Sequence, residues 1–189
     1  HGSAAASSLM NALRATYDAS IAVGYSPLVS TSIYCGEYSK QQILWVMAGN
    51  YAVSQGEYTG AELRQMMEWL VNVKDNGANP IRHRNYMPVT SGMEYKVTEY
   101  EQGKFRLEEL TINGAPLDDT ATYTVFVAGI DVWIENEVYC NCPMPENLKA
   151  KRTEYAIEGA ESRSCLKDSL AVSKQFPAPS EYLTIVQGE

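Results

Sequence analysis

The sequence predicts an α+β fold, and three observations carry that expectation. Runs at 93–100, 105–112 and 122–127 alternate apolar with polar residues or are nearly continuous in apolar ones, and turn residues bound each run, which is strand patterning. Stretches at 7–17, 39–47 and 59–70 repeat apolar residues at helical spacing behind a residue able to cap a helix. The 189 residues, 45% hydrophobic and 20% charged, suffice for one substantial core but not for two large domains.

Taken in order, His1, Gly2 and Ser3 read as a cloning remnant cut from a larger protein, and residues 1–5 are set aside as tag or linker. The first helix, 7–17, places Leu9, Met10, Leu13 and Tyr17 on one face, with Ser7 or Ser8 as its cap. A short buried strand, 21–23, follows, ended by Gly24 and Pro27. In the second helix, 39–47, Ser39 and Gln42 stand at capping-box spacing, and Gly49-Asn50 supplies the stop. Thr59 and Glu62 make a second capping box, ahead of Leu63, Met66, Met67 and Leu70 on the core side of the third helix.

A Gly, Pro and Asn-rich connection at 74–80 leads to Arg82, His83 and Arg84, three consecutive basic side chains in an acidic chain. They can grip an anionic ligand group or simply form a solvated face. Ser91-Gly92 opens the strand region at a point that calls for an unusual dihedral or a close backbone approach. Asn113-Gly114 closes the second strand with the dipeptide best able to hold positive φ. Residues 140–161 read as a charged loop, 164–174 as a short helix, and 182–186 as a final strand after Pro177 and Pro179.

Composition narrows the function. A formal charge of −8 and the lack of a basic stripe argue against a nucleic-acid partner. No apolar run approaches the ~20 residues of a membrane-spanning helix. Cys35, Cys140, Cys142 and Cys165 leave either free thiols or a disulfide; if a bond forms, Cys165 pairs with Cys140 or Cys142, because a ring closed within Cys140-Asn141-Cys142 is strained. With two histidines and no Asp-x-His or Gly-Asn-His-Asp cluster, the chain offers neither a zinc site nor a dinuclear one. It also lacks a Gly-x-Ser-x-Gly or Walker-type loop.

Ser91, Gly92, Tyr95, Leu110, Ile112, Asn113, Gly114, Pro116, Leu117, Asp118, Tyr123, Thr124 and Val125 form an ordered pattern, SG-x-x-Y, L-x-I-N-G-x-P-L-D, Y-T-V. It resembles the C-terminal domain of the 5'-nucleotidase family of metallophosphoesterases, which includes UDP-sugar hydrolases and cyclic-nucleotide phosphodiesterases. Thr59, Gly60, Leu63 and Met67-Glu68 match the family's T-G-x-x-L-x-x-x-L-E, and 6–14 with 19–23 match its first helix and strand. The resemblance covers 6–139, leaving 140–189 as a C-terminal extension packed on the same domain.

It implies an α+β domain with helices flanking mixed β-sheets in α/β/β/α layers. It also implies a nucleotide or nucleoside-like ligand, a divalent metal pair held by a separate N-terminal metallophosphoesterase domain, no cofactor in this chain, and an extracellular, periplasmic or cell-surface location. The substrate-binding residues implied are Asn50 and Tyr51, near the family's P-F-x-N, Tyr139, near the last aromatic of its G-G-D-G-(Y/F), and the basic pair Arg82 and Arg84; no catalytic residue is expected. Departures accompany this. Tyr25 stands near the family's Asn, Ser30 near its ligand-gripping Arg, and Ala48 at its stacking Phe, while the glycine pair is absent. Since a serine cannot replace a guanidinium fork, the alternative is a degenerate binding or structural module of the same fold.

Overall fold

The structure, a computed structural model, describes residues 4–25, 37–46, 53–73, 87–129, 144–155, 157, 162–173 and 183–188. Helix α1 is Ala4–Thr16, strand β1 is Ile21–Tyr25 and helix α2 is Lys40–Val46. Strand β2, Val53–Thr59, runs directly into helix α3, Gly60–Asn72. Then come β3, Pro88–Ser91, β4, Met93–Glu101, β5, Lys104–Ile112, β6, Ala115–Pro116, and β7, Thr122–Ala128. Helices α4, Glu146–Glu154, and α5, Ser162–Ser173, precede the last strand, β8, Leu183–Gln187.

These strands make two mixed sheets with flanking helices, the α+β arrangement the sequence implies. The first has the order β2-β7-β1-β3: β7 runs parallel to β1, with Ile21 beside Val125, and antiparallel to β2, with Val53 beside Ala128 and Thr59 beside Thr122. Its central strand β7 is buried continuously over its last four residues, 125–128, as a strand covered on both faces must be. The second sheet has the order β6-β5-β4-β8, with β8 parallel to β4. A register shift between Lys96 and Val97 bends the β4–β5 hairpin.

One hydrophobic core joins the layers. Leu9 and Leu13 from α1, Ile21 and Val23 from β1, and Leu63, Met66 and Met67 from α3 are all fully buried within it. Each such side chain removed from water contributes about 1.5–3 kcal/mol. Tyr17 stacks on Phe126 with centroids 4.8 Å apart and planes 19° from parallel, pinning the end of α1 to the middle of β7. Helix α5 packs on α1, and α3 touches β5 of the second sheet as well as β2 and β3 of the first.

Both predicted capping boxes form. Thr59 Oγ1 accepts from the Glu62 amide at 3.2 Å while Glu62 accepts from the Thr59 amide at 2.8 Å, and Ser39 and Gln42 reciprocate in the same way. Ser7 and Ser8 are not caps: α1 begins earlier, at Ala4, and both serines are buried inside it. The strand at 21–23 continues through Gly24 to Tyr25. Residues 146–154, read from sequence as loop, are helical, and β2 is a strand the sequence did not announce. Asn113 and Gly114 both hold positive φ, 51° and 80°. Cys165 is a buried free thiol donating to the Tyr17 hydroxyl at 3.9 Å, so the disulfide alternative to Cys140 or Cys142 is not realised.

Candidate functional site

The register of the first sheet fixes which strand termini share an end. Strand β1 finishes at Tyr25 opposite Pro88, where β3 begins, and β7 finishes at Ala128 opposite Val53, where β2 begins. Because β1 and β7 are parallel, these four termini lie at one end of the sheet. The chain runs from them into 26–36, 47–52, 74–86 and 130–143. In open mixed sheets, the carboxyl ends of parallel neighbours are where ligands are held.

Asn50, Tyr51, Arg82, Arg84 and Tyr139 all lie outside the described residues. By order along the chain, Asn50 and Tyr51 precede Val53, Arg82 and Arg84 precede Pro88, and Tyr139 follows Ala128.

The opposite end is closed by its own backbone. The amides of Gly60 and Ala61, at the start of α3, donate to the carbonyls of Ala121 and Asp119, each at 3.0 Å, and Thr59 takes the amide of Glu62. A helix N-terminus used in this way has no donors left for an anion. A Cβ on Gly60 would stand 2.1 Å from the Asp118 carbonyl oxygen, so glycine is what lets the 117–121 loop seat on α3. Gly92, at φ +78°, lies so close to the Ser20 carbonyl that a Cβ would meet it at 2.4 Å, which answers the expectation raised by Ser91-Gly92. Ser91 Oγ donates to Asn11 Oδ1 at 2.7 Å, and Arg64 Nη2 pairs with Asp119 at 2.9 Å.

A third polar cluster lies where α4 covers β2. Lys151 Nζ sits 2.7 Å from Glu62 Oε2 and 5.0 Å from the Tyr58 ring centroid. Burial pushes the Tyr58 hydroxyl up to about 12, against the opposing pull of the Arg152 guanidinium and the Ser54 hydroxyl. Burial also works to raise the Glu62 carboxyl, but bonds from Lys151 and Thr59 overcome it and hold the group below its usual value. These contacts fasten a highly charged helix whose buried residues are Leu148 and Arg152. A groove at the far end of α3, lined by Glu68, Asn72, Tyr100 and Phe105, has its amide committed: Asn72 bonds both the N–H and the C=O of Phe105.

Among the described residues no three His, Cys, Asp or Glu side chains gather where they could share an ion. The metal pair that the resemblance implies is expected in a separate N-terminal domain and not on these residues. No helix among them is long and apolar enough to cross a membrane.

Fold and strand register together define a two-sheet α+β domain in which four strand termini share one end of a mixed sheet. The family described as the 5'-nucleotidase C-terminal domain matches residues 2–130, and the chain belongs to that family. A 5'-nucleotidase precursor from Thermus thermophilus is similar in structure, at TM-score 0.69 and 16% identity over 96% of this chain and 35% of that one. So is the NAD nucleotidase of Haemophilus influenzae, at TM-score 0.70 and 12% identity over 98% and 33%. A sulfate thiohydrolase from Thermus thermophilus matches at TM-score 0.63 and 16% identity over 95% and 31%. Comparison with curated proteins gave no match. The chain spans about a third of the length of these structures, and identities this low bear on the fold alone. Matches over 95% or more of the chain take in most of the tail past residue 140, which the sequence resemblance had left unexplained.

Proposed function

We propose that this chain is the substrate-binding domain of an exported 5'-nucleotidase-like phosphoester hydrolase, working with an N-terminal metallophosphoesterase domain that carries a divalent metal pair. The observation that carries this reading is the convergence of four strand termini, Tyr25, Val53, Pro88 and Ala128, at one end of the first sheet. Tyr51 and Tyr139 supply stacking faces for a nucleobase, Asn50 a hydrogen-bonding amide, and Arg82 and Arg84 guanidinium forks for an anionic group. Family membership supports the nucleotide as ligand class. In this reading the domain binds and orients, and the hydrolytic step belongs to the other domain.

A second reading, a binding or structural module with no nucleotide site, is favoured by Ser30 and Ala48 standing where the family has its Arg and its Phe. Calorimetric titration of the chain with adenosine, AMP, uridine and UDP-glucose separates the two. Saturable binding that weakens about tenfold or more in Tyr139→Ala, the size expected for one lost stacking partner, supports the nucleotide site. No heat from any of these ligands at millimolar concentration removes it and leaves the module.

A further inference from the structure

Asn113 and Gly114 make the turn between β5 and β6, where Ile112 pairs with Ala115. They hold φ at 51° and 80°, as a tight hairpin turn of this hand requires. Both are exposed, and β6 is the last strand of its sheet, so the turn stands at an open edge. A Cβ placed on Gly114 would meet nothing within 4 Å. The other described asparagines have their amides engaged: Asn11 accepts from Ser91, Asn72 bonds both backbone groups of Phe105, and Asn147 donates to Gln65. Among the described residues the Asn113 side-chain amide has no such bond, while its backbone N–H donates to the Gly92 carbonyl at 3.3 Å.

We propose that Asn113 is a site of spontaneous deamidation in the folded protein, and that the isoaspartyl product loosens the edge of the second sheet. The chemistry takes only water. The Gly114 backbone nitrogen gives up its proton to a base and attacks the Asn113 side-chain carbonyl carbon. The new C–N bond closes a cyclic imide as the bond to the side-chain nitrogen breaks, and that nitrogen takes up a proton and leaves as ammonia. Water then adds to either imide carbonyl and cleaves its bond to the ring nitrogen, giving aspartate or isoaspartate; nothing is oxidised or reduced. Glycine permits the approach because no side chain screens its nitrogen, and the Asn113 amide breaks no hydrogen bond in turning toward it. In isoaspartate the main chain runs through the side-chain carbonyl and gains the side-chain methylene. A tight turn fixes strand register and has no slack for the added length. The Ile112–Ala115 pairing and the bond from the Leu117 N–H to the Leu110 carbonyl, 2.9 Å, then give way.

Ageing the intact chain at mildly alkaline pH, native and in urea, followed by peptide mass spectrometry that separates aspartyl from isoaspartyl products, tests this. The Asn113 peptide is expected to convert in the native chain at a rate within about tenfold of that in urea, because a turn at a sheet edge opens at little cost. Asn76-Gly77, the other Asn-Gly pair of the sequence, calibrates the rate in urea. Aged wild type is expected to unfold at lower urea concentration than fresh protein. Asn113→Gly keeps a turn suited to positive φ and is expected to age without that loss. Asn113→Asp, which carries the new charge on an ordinary backbone, is expected to unfold with fresh wild type. Native Asn113 that stays intact while the same peptide converts in urea overturns the site. Isoaspartate at 113 with an unchanged unfolding midpoint, or an equal loss in aged Asn113→Gly, overturns the loosening.

Discussion

The two ends of the first sheet differ in kind. At the end marked by Thr59, Thr122 and Ser91, the backbone closes on itself: α3 takes carbonyls from the 117–121 loop, and Gly60 and Gly92 sit against main-chain oxygens. At the end marked by Tyr25, Val53, Pro88 and Ala128, four strand termini meet without such closure among the described residues. The family pattern divides the same way. Thr59-Gly60, Gly92, Asn113-Gly114 and Leu117-Asp118, which match it, are residues the closed end needs in order to fold. Tyr25, which departs from it, ends β1 at the other end, and Ser30 and Ala48, which also depart, follow β1 and precede β2 in the sequence, outside the described residues. Scaffold motifs are kept by packing, while ligand motifs are free to change with the ligand, so agreement at the closed end identifies the family and says little about the substrate.

The largest expected effect breaks the closed end. Gly60→Ala puts a methyl group into the Asp118 carbonyl, and backbone cannot step aside as a flexible side chain would. A loss of about 3 kcal/mol is expected by urea unfolding, and a variant as stable as wild type would mean that the 117–121 loop does not rest on α3.

Next in size is the alkaline limb of stability. Tyr58 has a folded pKa of about 12 against an ordinary value of 10.0, so above pH 10 the unfolded chain gives up a proton that the folded chain keeps. Stability is complete below pH 10 and falls as the pH rises toward 12, by as much as about 2 kcal/mol. Tyr58→Phe is expected to flatten that limb, and an unchanged slope between pH 10 and 12 would place the titrating group elsewhere.

The smallest effect lies on the acid side. Glu62 has a lowered folded pKa, so its contribution is present above the unfolded value near 4.5 and is lost as the pH falls through the folded one. Lys151→Ala is expected to cost about 0.5 kcal/mol at neutral pH, with the difference from wild type vanishing once Glu62 is protonated. A difference that persists at pH 2 would show that the lysine acts through its stem on Tyr58 and not through its charge.

How much of this was legible in the sequence depends on the job each residue does. Strands β4, β5 and β7 announce themselves because their alternation and the Asn113-Gly114 turn are local signals, and the capping boxes at Ser39 and Thr59 are readable for the same reason. Strand β2 is hidden because its buried positions include Ser54 and Gly56, small residues without strand preference that lie under α4. Helix α4 is hidden because it buries little beyond Leu148 and Arg152, too few side chains to show a period. Ser7 and Ser8 imitate a cap while filling the interior of α1. For the candidate site, only identities were legible, through the resemblance. The end shared by Tyr25, Val53, Pro88 and Ala128 follows from the pairing of β1 with β7 and β3, contacts between segments some seventy to a hundred residues apart, which no local pattern encodes.

The central claim is that the end marked by Tyr25, Val53, Pro88 and Ala128 holds a nucleotide and the closed end does not. Amide hydrogen exchange of the chain with and without saturating AMP tests it most directly. The account predicts slowed exchange near Tyr25, Val53, Met87 and Ala128, with no change near Gly60, Gly92 and Asp119. Protection confined to the closed end, or no protection anywhere with AMP at millimolar concentration, would contradict it.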